Sequence, residues 1–475
     1  GRLDSVKLVP ISVGYERIIE ERSHKTEQLG AEKEKESLGG LLRTPRFLAS
    51  KYGRLYIEFS EPLDVGEYLA KYELDRMEAG DVADRGEEID TLVVRLGHRI
   101  IYDINRVTTV TPTALCAMVL LTNEARGLDR HRFLGEVGFL LRFLTEPERD
   151  VRLSRTLRDA IGSHADSIRR LESEEENRRR RAAASHSTER NLAIESVIGN
   201  AAADVIDEAL DLFKESSQIA AEKSGDAITY SVPEDARLEL SYYRNTIVHH
   251  FVPEGLLAAA IASFRSQRIK LSELMRETLF LSRLFKYEWI YEERAEFNNV
   301  FFRSLRYFET SGWIEIVGAE EHQVVRVADP VPVEISFFRR QVLSFLEAYS
   351  IVAAFAGQLE DEELEQSELL KAILKRARAD YTRGSIMFWE SLSKPTYDNA
   401  LRLMSDWQIV DRTWNEAKKK TTCRISEIAR ENRAHQEFRT HLERFTYPDR
   451  DTATGARPAN PQHVAQHFDD DDDRG

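Results

Sequence analysis

Cysteine is scarce. The 475 residues hold two, Cys116 and Cys423, far apart and without metal-ligand spacing. That excludes a disulfide framework and fits a reducing compartment. Long apolar runs are missing too. The best is Ala114-Leu115-Cys116-Ala117-Met118-Val119-Leu120-Leu121, less than half of the ~18–20 residues that span a bilayer. Any membrane contact made by this chain is therefore expected to be peripheral. Positive charge is in deficit: 67 Lys and Arg against 82 Asp and Glu leave a net charge of −15. Such a balance argues against a general nucleic-acid binder. There is no zinc motif, no Walker loop and no Gly-x-Gly-x-x-Gly, so neither a metal nor a dinucleotide cofactor is expected.

What is present is apolar material, 42% of the residues, enough for real cores in two or three domains. The first stretch to stand out is Val6-Lys7-Leu8-Val9-Pro10-Ile11-Ser12-Val13-Gly14-Tyr15. A run of branched apolar residues ended by glycine reads as a buried strand. Pro10 cannot donate a ladder hydrogen bond, which puts it at an edge, a bulge or a strand end. A charged segment follows, and then Gly53-Arg54-Leu55-Tyr56-Ile57-Glu58-Phe59-Ser60-Glu61-Pro62-Leu63, a second strand with alternating apolar residues.

Residues 1–75 thus read as α/β, and 76–90, rich in Asp, Glu and Gly, as a linker. From 91 to 290 the pattern is helical. Thr111 reads as an N-cap with Pro112 at the first helical position. Phe133, Val137, Leu140, Leu141 and Leu144 repeat at helical spacing, as do Ile194, Val197, Ile198, Ala201, Val205 and Ile206,. The arginines at 178–181 read as an exposed helix end with some affinity for anionic lipid. Residues 227–233 read as a short strand leading into a helix over 242–251. Residues 291–450 contain two helix-plus-hairpin units, the plan of a winged helix, within a weak internal repeat over 291–430. The tail, 451–475, carries a run of Asp at 469–473 and is expected to be disordered,.

Four stretches together resemble the bacterial membrane-associated glycerol-3-phosphate acyltransferases. They are Val9-Pro10-Ile11, the run Lys33-Glu34-Lys35-Glu36-Ser37, Phe59-Ser60-Glu61-Pro62, and Tyr242-Tyr243-Arg244-Asn245. The resemblance covers most of the chain and thins after about Phe345. It implies a C-terminal remnant of an α/β acyltransferase sheet followed by a mainly helical region. It also implies transfer of a fatty acyl group from acyl-CoA or acyl-carrier protein to glycerol 3-phosphate. In the family, the histidine of a His-x4-Asp dyad takes the proton from the 1-hydroxyl and the aspartate orients it.

That dyad and the family's Arg-bearing blocks belong before the Val-Pro-Ile strand, so the chain is expected to be the C-terminal part of a longer enzyme. No catalytic residue is then assigned within it. His98 and Asp103 have the dyad's spacing but come after the strand and are not assigned. The substrate-binding candidates are Val9, Pro10 and Ile11, shaping an acyl or acceptor pocket, with Lys33 and Lys35 as point charges for phosphate or the carrier partner. His249 and His250 are adjacent and cannot both face one site on a helix. The expected partners are glycerol 3-phosphate, the acyl donor and a membrane surface at the cytoplasmic face, without nucleic acid. The alternatives are a dihydroxyacetone-phosphate acyltransferase and a non-catalytic helical scaffold or regulatory protein.

Overall fold

The computed structural model describes residues 6–18, 29–30, 53–71, 86–123, 127–171, 173, 187–225, 227–292, 296–319, 322–359, 363–416 and 419–448. Lys33, Lys35, residues 76–85 of the expected linker, the arginines at 178–181 and the acidic tail lie outside these residues.

A two-stranded antiparallel ribbon opens the described chain. Strand β1 (Ile11–Tyr15) pairs with β2 (Leu55–Phe59), with Ile11 opposite Phe59, Val13 opposite Ile57 and Tyr15 opposite Leu55. The strand is real and its apolar face is uncovered, which corrects the reading of it as buried. Those six apolar side chains share one face and are 43% to 61% exposed. The covered face is the polar one, where Ser12 is buried. Alternation with period two identifies a strand and its two faces; it does not say which face meets the body.

The helical body begins with α1 (Gly86–Arg106), whose first residues fall in the stretch read as linker. Helix α2 (Pro112–Thr122) starts as expected, with Thr111 Oγ1 accepting from the Ala114 N–H at 3.2 Å. Every residue of α2 is buried, as suits a helix that is apolar all round. Helix α3 (Arg130–Leu144) crosses α4 (Ser187–Ala201) at a pair of glycines. A Cβ on Gly138 would overlap the Glu195 carbonyl oxygen, and one on Gly199 would overlap that of Leu134. The two backbones are in direct contact, and only glycine allows it. Gly135, one turn earlier on α3, faces open space.

Helices α5 (Ala203–Glu215), α6 (Arg237–Asn245) and α7 (Val252–Ala262) complete this body, with α6 packed on α2. The helix expected over 242–251 is broken. Helix α6 ends at Asn245, Val248–His250 form a 3-10 turn, and α7 starts at Val252 with Pro253 in its first turn.

Two units with one plan follow. The first runs β3 (Arg268–Lys270), α8 (Leu271–Leu284), α9 (Phe297–Thr310) and the hairpin β4 (Ile314–Val317)–β5 (Val324–Val327), in the order β3-β5-β4. Helix α10 (Val333–Ala356), largely buried, lies between the units. The second runs β6 (Leu364–Glu365), α11 (Gln366–Thr382), α12 (Lys394–Asp406) and the hairpin β7 (Val410–Asn415)–β8 (Lys420–Ile425), in the order β6-β8-β7. The internal repeat read from the sequence therefore has a counterpart in strand order. Helix α13 (Ala434–Thr446) packs back on α10.

A deeply buried ion pair sits inside the helical body. Glu254 of α7, fully buried, accepts from Arg149 Nη2 at 2.7 Å and from Ser304 Oγ at 2.9 Å. The Arg149 guanidinium also lies 3.6 Å over the Phe143 ring. Removing one partner strands a charge away from water, which costs about 3–5 kcal/mol.

Two glycines on α3 give an internally controlled test. Gly138→Ala must push α4 away and should lower stability by about 3 kcal/mol. Gly135→Ala should raise it by about 0.5–1 kcal/mol, because alanine loses less backbone entropy in a helix. Urea midpoints at unchanged slope measure both. In the same assay Arg149→Met should cost about 3–5 kcal/mol, through the stranded Glu254.

Candidate substrate cleft

The ribbon is turned polar side inward by a buried carboxylate. Glu16, 4% exposed, accepts from the Arg54 N–H at 2.8 Å and from Tyr56 OH at 2.6 Å. Burial, together with the charge of Glu16, pushes the Tyr56 phenol up to about 12, so it stays a donor. Gly53 makes room for this knot: it sits at φ +70°, and a Cβ there would run into the Glu16 carboxylate. From the same face Ser12 Oγ meets Thr108 Oγ1 at 3.0 Å, and Arg54 reaches Glu208 of α5 at 3.1 Å. Past the strand, the Ile18 N–H donates to Tyr243 OH on α6 at 3.0 Å.

Held this way, β1 becomes one wall of a cleft of about 890 Å³. The other walls are the C-terminal end of α1, the end of α6 with the turn after it, the segment just after α8, and the start of α12. The size falls in the range of small-molecule sites.

The chemistry of the cleft is neutral. Among the described residues that line it there is no lysine or arginine. His249 has Nε2 3.2 Å from the Asn105 carbonyl oxygen. Burial lowers its pKa to about 4, so at neutral pH Nε2 carries the proton and Nδ1 is an acceptor. Glu288 accepts from Tyr349 OH and from Asn399 Nδ2, both at 3.2 Å. Burial raises its carboxyl to about 7, against an ordinary value near 4.3.

Behind the wall lies Arg244, 5% exposed. Its Nε and Nη2 donate to Asn245 Oδ1 at 3.1 and 2.9 Å. Among the described residues no carboxylate stands within ion-pair distance of it. Burial lowers its pKa to about 10, which leaves it charged at neutral pH. The effect is local: Asn245, an exposed residue lining the cleft, has its carbonyl oxygen held from behind. Its Nδ2 is left as the donor available to a ligand.

Of the sequence-derived candidates, Val9, Pro10 and Ile11 do not line this cleft, and Lys33 and Lys35 lie outside the described residues. Val9 and Ile11 are 44% and 43% exposed, and Pro10 is buried with its carbonyl accepting from the Ser60 N–H at 2.9 Å. The residues immediately after them, Ser12 to Tyr15, form the wall. His98 and Asp103 do not form a dyad. Asp103, 2% exposed, is taken by Arg99 at 2.8 Å and Arg106 at 3.7 Å, while His98 is exposed on α1. The rings of His249 and His250 are 4.0 Å apart between centroids, and of the two only His249 lines the cleft. Among the described residues no group of three or more His, Cys, Asp or Glu could hold a metal ion. Asn105 and Glu288 carried no signal in the sequence; for Asn245 the signal was the Tyr242–Asn245 string.

The family model described as "Glycerol-3-phosphate acyltransferase C-terminal region" matches residues 25–179 and 167–413. The chain belongs to that family. It is 25% identical over 418 residues to the Mycobacterium tuberculosis protein named "Putative acyltransferase plsB1", covering 86% of this chain and 57% of that protein. It is 24% identical over 266 residues to a glycerol-3-phosphate acyltransferase of Actinobacillus pleuropneumoniae, covering 56% of this chain and 27% of that one. With the enzyme of the same name from Pseudoalteromonas translucida it shares 23% over 373 residues, covering 77% and 39%. The chain thus spans little more than half the length, or less, of the curated relatives it matches. Among the described residues no helix is long and apolar enough to cross a membrane.

Glu288 supplies a pH-dependent test. Its folded-state carboxyl titrates near 7, above the unfolded value near 4.3, so the folded chain binds the extra proton between those values. Stability should therefore fall as pH rises from about 4.5 to 7, by about 2 kcal/mol through this group, since it keeps part of its surface toward the cleft. Glu288→Gln keeps an acceptor for Tyr349 and Asn399 and should remove that slope. The difference in urea midpoint between the two proteins, followed from pH 5 to 8, measures it.

Proposed function

We infer that this chain is the C-terminal part of a glycerol-3-phosphate 1-O-acyltransferase of phospholipid synthesis, moving a fatty acyl group from acyl-CoA or acyl-carrier protein. The observation that carries this reading is the family match across 25–413. The cleft supports it, because one of the stretches that carry the resemblance, Tyr242–Asn245, lines it opposite the residues that follow another, Val9-Pro10-Ile11. The proton-abstracting dyad is assigned to residues other than His98 and Asp103, since Asp103 is committed to two arginines. The open apolar face of the ribbon is read as the place where the rest of the acyltransferase sheet packs. Lys33 and Lys35 remain the proposed phosphate contacts. The two helix–hairpin units are read as winged-helix-like modules that face protein rather than nucleic acid, given the net charge of −15. The enzyme is placed peripherally at the cytoplasmic face of the membrane.

Expressed from its complete reading frame, the enzyme should convert glycerol 3-phosphate and palmitoyl-CoA to 1-acylglycerol 3-phosphate. A product formed only from dihydroxyacetone phosphate would favour that acyltransferase instead, and no product from either would refute the reading. The 475-residue chain alone should give no turnover. Turnover abolished by His98→Ala would overturn the assignment of the dyad elsewhere.

A further inference from the structure

We propose that the exposed face of α9 docks a partner protein through a short acidic segment that carries an aromatic residue. This rests on the reading of the helix–hairpin units as protein-facing modules and adds to it the face and the chemistry of the partner.

The second unit shows how such a face is used. The residues just after α8, Lys286 to Glu288, lie across α12. The Arg402 guanidinium sits 4.1 Å over the Tyr287 ring. Asn399 Nδ2 donates to the Tyr287 carbonyl oxygen at 3.1 Å and to Glu288 Oε1 at 3.2 Å. Asp406 accepts from Tyr287 OH, and Lys286 Nζ stands 2.7 Å from the same oxygen. Asn399, Arg402 and Asp406 form one stripe, since residues three and four apart share a helix face. That stripe grips an aromatic ring and the carboxylate next to it.

The internal repeat places the same stripe on α9. Helix α9 ends at Thr310 and its hairpin starts at Ile314; α12 ends at Asp406 and its hairpin starts at Val410. The left-handed residue between helix and hairpin is Gly312 in one unit and Gln408 in the other. In that register the buried residues Phe301, Ser304, Leu305 and Phe308 fall on Tyr397, Ala400, Leu401 and Met404, which are buried as well. Arg303, Arg306 and Thr310 fall on Asn399, Arg402 and Asp406. All three α9 residues are exposed, and Phe302 beside them is 41% exposed. Among the described residues neither Arg303 nor Arg306 has a hydrogen-bond or ion-pair partner for its side chain.

The positions that differ define the partner's charge. Arg303 stands where the Asn399 amide meets Glu288, so a carboxylate is held there more strongly. Thr310 stands where the Asp406 carboxylate meets Lys286, so the stripe presents no carboxylate to a cation. Arg306 keeps the place of Arg402 and has the same reach over an aromatic ring. Two unpaired arginines on a chain of net charge −15 make an acidic segment the complementary partner,.

Fluorescence anisotropy tests this, with the 475-residue chain titrated into a labelled peptide that has a central tyrosine flanked on both sides by glutamates. Saturable binding is expected at low salt, weakening as salt rises. Arg303→Ala and Arg306→Ala should each weaken it about tenfold, the loss of one charge-assisted contact. Both positions are exposed, so the urea midpoint should stay where it is,. Exchanging the peptide's tyrosine for alanine should weaken binding about threefold. No binding, binding unchanged in both variants, or equal binding without the tyrosine would overturn the proposal. Binding that appears only with Asp469→Ser through Asp473→Ser would assign the face to the chain's own tail. A dimer lost in Arg306→Ala would assign it to a second copy. Either result removes the separate partner. Duplex DNA bound by the chain and released by the same two variants would refute the protein-facing reading itself, whereas failure to bind peptide or DNA would sink the proposal and leave that reading standing.

Discussion

The carboxylate of Glu16 decides which face of the β1–β2 ribbon meets the helical body. Buried at 4% exposure, it must be satisfied, and the Arg54 amide and the Tyr56 hydroxyl do so from the neighbouring strand. With Glu16 inward, Ser12 is inward as well and reaches Thr108. Val13 and Tyr15 are then forced to the other face, where they edge the cleft. Three hydrogen bonds then tie this side of the ribbon to the body: Ser12 with Thr108, Arg54 with Glu208, and the Ile18 N–H with Tyr243. The cleft, its neutral lining and the open apolar face all follow from that one polar constraint.

Away from the cleft, the helical body is closely packed. Helices α3 and α4 touch backbone to backbone at Gly138 and Gly199, a contact with no room to adjust. Helix α7 is anchored through Glu254 and Arg149. The break between α6 and α7 has a functional reading. Helix α6 stops at Asn245, and the turn that follows it brings Thr246, Val248 and His249 to the same cleft as Asn245. The break also settles the histidine pair, sending His249 to the cleft.

Neutrality is the cleft's distinguishing property. His249 is held near pKa 4 and Glu288 near 7, both by desolvation, so at neutral pH the described lining residues carry at most a fraction of one charge. Arg244 is charged but sits behind the wall and acts through Asn245. A site arranged like this discriminates by hydrogen-bond pattern and apolar fit.

Much of this was legible along the chain. Local rules depend on neighbours in sequence, so the N-cap at Thr111, the two ribbon strands, the repeated helix–hairpin plan and the family resemblance could be read from residue order alone. The Tyr242–Asn245 string marked the right place without revealing its role. Tertiary structure alone decided the sidedness of the ribbon, because period two defines two faces and only a partner chooses between them. It decided that His98 and Asp103 are not a dyad, because the arginines one turn on either side of Asp103 take its charge first. It also decided that Glu288, Asn105 and Asn245 share one cleft with Ser12, since these residues lie far apart in sequence and meet only once the ribbon docks polar side down.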